Sequence, residues 1–172
     1  MKNNISYEQP LNERVRTFLR LEHLFDIVNY HINRNNEWDN RIVIYSLLSI
    51  LDLLSRSDIK TELIKELERH SNTLNTLKAN PNVDHDRLNS ILLNINKNLG
   101  TLRDTTCQPG LVIRNNELIN SIKQRSTIPG GSCNFDLPGY HFWLNNEPEK
   151  RLNDLKKWHE DLLIIQNSLQ LV

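Results

Sequence analysis

No glycine occurs before Gly100, and only Pro10 and Pro81 interrupt that stretch. Glycine supplies the positive φ of tight turns and proline breaks helices. A long segment with almost neither, rich in Leu, Ile, Glu, Lys and Arg, cannot easily make hairpins and reads as successive helices. The chain is therefore expected to be all-α, a helical bundle of about six or seven helices, with residues 1–172 as a single helical domain.

Hydrophobic periodicity places the helices. The first is expected from Pro10, a residue suited to the first helical position, to about Tyr30. At 100° per residue Leu11, Val15, Phe18, Leu21, Phe25 and Val28 share one arc, with Arg16, Arg20 and His23 opposite. The second spans roughly Asp39 to Leu54. Its run IVIYSLLSILDLL is apolar almost all round and fits a buried central helix, despite a β-branched start. Ser57 or Asp58 caps a third, which runs to about Lys78 and ends at Asn80-Pro81. The fourth begins at Asp84 and carries Leu88, Ile91, Leu92, Ile95 and Leu99. Gly100 is expected to stop it. After the Pro109-Gly110 turn, Leu118, Ile119 and Ile122 support a shorter helix to about Gln124. The segment STIPGGSCNFDLPGYHFWL is the least regular, and its aromatics are expected in the core. A final helix restarts at Asn146-Glu147-Pro148, with Leu152, Leu155, Trp158, Leu162 and Ile165 as its stripe.

Charge and cysteines narrow the function classes. With 21 Lys+Arg against 21 Asp+Glu, the chain lacks the basic excess of a generic nucleic-acid or membrane-surface binder. No apolar run reaches the ~20 residues of a membrane span. The start MKNNISYEQP has no apolar signal-peptide region. Cys107 and Cys133 form no disulfide framework, so a reducing cytoplasm is the expected compartment. No cofactor or metal is expected. Asp84-His85-Asp86 are neighbours that diverge on a helix, and His159-Glu160 begins a zinc motif whose second histidine is replaced by Leu163.

Two constellations remain. Cys133, Asp136 and His141 place a thiol, a carboxylate and an imidazole close together, the parts of a thiol-dependent hydrolase. Arg14, Arg16, Arg20, Arg56, Lys60, Lys123, Arg125 and His141 include cations at helix ends. If convergent, they would bind an acidic extended peptide, because guanidinium groups fork onto carboxylates.

Three segments carry a resemblance: Tyr7-Glu8-Gln9-Pro10-Leu11-Asn12-Glu13-Arg14-Val15-Arg16-Thr17-Phe18-Leu19-Arg20, the run from Arg56-Ser57-Asp58-Ile59-Lys60 to Leu67, and Ser126-Thr127-Ile128-Pro129-Gly130-Gly131 through His141-Phe142-Trp143-Leu144. In this order they resemble the ZapD family of bacterial division-ring-associated proteins. The resemblance implies a cytoplasmic, non-enzymatic homodimer at the mid-cell division site. Such a protein binds the C-terminal tail of the tubulin-like FtsZ and bundles its protofilaments. It also implies a C-terminal β-rich domain after the helical one, absent from this chain. The tail-binding residues carried over are Arg16, Arg20, Arg56 and His141. Lys60 and Arg125 join them on charge and position.

Overall fold

The computed structural model describes residues 7–34 and 36–172, which are all-α. Among them lie nine α-helices: α1 (Glu13–His31), α2 (Glu37–Arg56), α3 (Ile59–Thr76), α4 (His85–Arg103), α5 (Leu111–Arg114), α6 (Glu117–Arg125), α7 (Pro138–Leu144), α8 (Pro148–Glu160) and α9 (Leu163–Leu169). A single 3-10 turn, Leu77–Ala79, extends α3.

The helix starts are set by side-chain caps. Asn12, Asn36, Asp58, Asp84 and Asn116 each accept a hydrogen bond from the backbone N–H three residues on. The cap corrects the expected start of α1. Asn12 is extended and its side chain takes the Val15 N–H at 2.9 Å, so the helix begins after Pro10 rather than at it. Leu11 consequently drops out of the core arc and is 91% exposed, while Phe18, Leu21, Phe25 and Val28 are buried as the periodicity requires.

The α2 helix is central. It packs antiparallel on α1 and also meets α6 and α8. Val43, Ile44, Leu47, Leu48, Ile50 and Leu51 are all buried, and burial of this much apolar surface overrides the β-branched preference of its start. At the α1–α2 bend, His31 and Asn36 both reach the buried carboxylate of Asp39. The α3 and α4 helices form a second pair, and α9 wedges against α1, α3 and α4.

Three further expectations change. The α4 helix passes through Gly100 and continues to Arg103. The irregular segment contains a short helix, α7. There Tyr140 and Trp143 are buried and the Trp143 ring lies tilted against Trp158 with centroids 5.7 Å apart, but Phe135 and Phe142 point outward. The last stripe is not one helix. Asp161 breaks it, because its carboxylate accepts the free N–H groups of Val112 and Ile113 at 2.8 and 3.3 Å. Leu162 and Ile165 stay buried across the break.

Candidate functional site

The antiparallel pairing of α1 and α2 brings the first turns of α1 to the end of the bundle where α2 finishes. Arg16 and Arg20 lie there on the face of α1 opposite its buried residues, and Arg56 lies in the last turn of α2. The basic residues are individually held. Arg16 pairs with Glu13 at 2.6 Å and Arg56 with Asp52 at 2.8 Å, both within their own helices. Exposed pairs of this kind exchange readily with an external carboxylate, because each contributes little on its own. Arg20 is exposed, with no hydrogen bond or ion pair among the described residues.

Arg14 shares the sequence run but faces inward. It bridges α1 to α3 through Glu62 at 3.5 Å and Glu66 at 3.1 Å. Hydrogen bonding from Arg69, with the charges of Arg14, Arg69 and His70 close by, holds the Glu66 carboxyl below its usual range. These residues fasten helices together.

Lys60 is placed differently from the others. Its Nζ donates to the carbonyls of Cys107 at 2.7 Å and Asp104 at 3.2 Å. It thereby ties the start of α3 to the loop after α4, in a separate depression that Arg114 also lines. Arg125, in the last turn of α6, stands 4.0 Å from Asp136. His141 is exposed on α7, and its Nδ1 lies 3.5 Å from the Asn145 amide.

This placement also decides the geometry around Cys133. Its thiol donates to Asp136 at 3.4 Å. The imidazole of His141 makes its contact within α7 instead. The described residues thus hold no thiol–imidazole pair of the sort a thiol hydrolase needs. They also hold no group of three or more His, Cys, Asp or Glu side chains able to bind a metal.

Where α6 ends against α2 there is a groove of about 300 Å³. Tyr45, Leu48, Ser49, Asp52 and Arg56 line it from α2, and Lys123, Ser126 and Thr127 from α6 and its end. Of the basic residues singled out from sequence, Arg56 and Lys123 line it, and Arg125 follows Lys123 by two residues. The spacing Tyr45, Ser49, Asp52, Arg56 is a helical i, i+4, i+7, i+11 stripe along α2. That stripe is the sequence signal for the groove, and it lies largely within a run that reads as apolar almost all round.

No helix of the described residues is long and apolar enough to cross a membrane. In comparison with known proteins, the family model for the cell division protein ZapD matches residues 19–172. The chain is 40% identical over 168 residues to the cell division protein ZapD of Cupriavidus taiwanensis, covering 98% of this chain and 67% of that protein. It is 41% identical over 172 residues to that of Methylococcus capsulatus, covering 100% and 68%. Against that of Nitrosomonas europaea it is 41% identical over 168 residues, covering 98% and 64%. The chain spans about two thirds of the length of these relatives.

Proposed function

The chain belongs to the ZapD family of cell division proteins, and from that premise we propose that it is a non-enzymatic division adaptor that binds the C-terminal tail of FtsZ. As a homodimer it presents two such sites and cross-links protofilaments at the mid-cell division site in the cytoplasm. The observation that carries this reading is the end of the α1–α2 hairpin, where Arg16 and Arg20 on α1 and Arg56 on α2 face outward. Guanidinium groups in exposed, exchangeable pairs suit an acidic extended peptide. Arg125 and His141, exposed on neighbouring elements, extend the basic surface. Lys60 contributes through the loop it holds rather than by direct contact.

The test is fluorescence anisotropy of a labelled FtsZ tail peptide titrated with the chain, alongside an Arg16→Glu, Arg20→Glu double variant. Saturable binding to the parent and its loss in the folded variant support the reading. Equal binding by both removes these arginines from the site.

A further inference from the structure

We propose that the groove between α2 and the end of α6 seats a large apolar side chain of an acidic peptide, with Lys123 holding the neighbouring carboxylate. The inference rests on the tail-binding reading above and names where, and by what chemistry, the peptide is recognised.

What separates this groove from the other depressions is Arg56, a hairpin-end cation that lines none of them. Beneath α1, Arg14 and Arg69 line a cleft together with Glu22 and Glu66, and Glu66 already pairs with both cations. Around Lys60, the ammonium is held by two carbonyls, and Arg114 and Asp58 complete the charged lining. Between α4 and α9 half of the lining residues are amides, with Lys97 the single charge. In the α2–α6 groove two cations face one carboxylate. Arg56 takes Asp52 at 2.8 Å, which leaves the Lys123 ammonium with no partner among the described residues.

The remaining wall is suited to an apolar group. Leu48 and the half-buried ring of Tyr45 form it. Their hydroxyl neighbours are turned away: Ser49 Oγ donates to the Tyr45 carbonyl at 2.8 Å, and Ser126 Oγ to the Lys123 carbonyl at 2.7 Å. At about 300 Å³ the groove sits at the low end of ligand clefts, a size for one or two side chains rather than a cofactor. Arg56 belongs both to the groove lining and to the hairpin end. A peptide crossing Arg16 and Arg20 reaches it without leaving the same end of the bundle.

Two substitutions on exposed positions separate the apolar and charged parts. Ser49→Trp fills the groove and changes no charge. Lys123→Glu reverses the unpartnered cation and leaves the groove open. Both are assayed in the 172-residue chain by anisotropy of the labelled FtsZ tail peptide. The same peptide with its large apolar residues replaced by Ser is run beside it, and circular dichroism confirms folding.

Ser49→Trp is expected to weaken the intact peptide about tenfold, equivalent to about 1.4 kcal/mol, at low and high salt alike. It should leave the Ser-replaced peptide unchanged. Lys123→Glu is expected to weaken the intact peptide by a similar factor at low salt, with the effect shrinking as salt rises. Arg114→Glu, in the separate depression, should bind as the parent does. Parent-like binding by both Ser49→Trp and Lys123→Glu overturns the groove while the tail-binding reading stands. So does a loss confined to Arg114→Glu. If Ser49→Trp fails to fold, Lys123→Glu alone decides. Absence of peptide binding by the parent chain overturns both the reading and this inference.

Discussion

At the scale of single residues, the basic side chains divide by what already holds them. Arg16 answers to Glu13 at the surface, whereas Arg14, two positions earlier, is half-buried against Glu62 and Glu66. The helical arc showed this division for Arg16, but not for Lys60, because a lysine's use of distant carbonyls leaves no mark on local sequence. Arg16→Glu should therefore change stability by no more than about 0.5 kcal/mol, while tail affinity falls about tenfold or more, since reversing a charge-assisted contact costs on the order of 1.5–3 kcal/mol. Thermal melts and peptide anisotropy on the same sample check both halves. Glu66 should behave in the opposite way. Its folded pKa lies below the ordinary value of 4.5. The stability it contributes is present above that value and is lost as pH falls through the depressed folded pKa. Glu66→Gln should lower the urea midpoint at neutral pH by the equivalent of about 1–2 kcal/mol, given that Arg69 is largely solvated. The gap between parent and variant should close as the pH is taken well below 4.5. A constant gap across that range would assign the loss to packing instead of charge.

At the scale of elements, the long helices were legible because their stripes are long and their caps are explicit. The errors fall at boundaries. Gly100 is the clearest case. A glycine after Leu99 reads as a left-handed stop, but α4 continues because Leu102 still finds the core and is fully buried. The true left-handed glycine of this region is Gly110, at φ 83° before α5. The two make opposite predictions. At Gly100 an added Cβ meets nothing within 4 Å. Gly100→Ala should thus stabilise the chain by about 0.8–1 kcal/mol, as in any helix interior, and raise the melting temperature by about 2–4 °C. At Gly110 a Cβ would stand 2.5 Å from Leu51 Cδ2, in a backbone conformation alanine avoids. Gly110→Ala should destabilise by about 1–3 kcal/mol. Paired thermal melts decide, and a Gly100→Ala chain that melts earlier would mean that α4 ends where the local signal placed it. The α8–α9 break leaves no local mark for a related reason. Asp161 looks like an ordinary solvated residue until the distant N–H groups of Val112 and Ile113 are brought to it by the fold. Phe135 and Phe142 escaped likewise, since composition alone cannot say which aromatics of a turn-rich segment face inward.

At the scale of the whole molecule, the balance of 21 basic and 21 acidic residues removes any strong long-range field. Attraction to an acidic tail must then be local, within a Debye length of about 8 Å at physiological salt. Raising the salt several-fold should markedly weaken tail binding. Binding that ignores salt would shift the weight from the arginines to the apolar groove. Cross-linking adds a second requirement, because a chain with one tail site decorates a filament but does not join two. A two-fold dimer is the simplest way to double the site. The exposed Trp38, Phe135 and Phe142 leave apolar surface from which a pairing face can be built. Once one tail is held, the second site of the dimer searches a small volume, so its effective concentration rises without any new contact. Filament bundling should therefore follow the dimer population of the chain and not its total concentration. Light scattering of the chain alone gives the first quantity, and low-speed pelleting of FtsZ filaments gives the second. Both should rise over the same concentration range, and raised salt should lower the pelleting, through the tail contact, without a matching change in the scattering of the chain alone. A chain that stays monomeric throughout and still pellets filaments would require two tail sites on one bundle. In that event the hairpin end and the α2–α6 groove would have to act as separate sites.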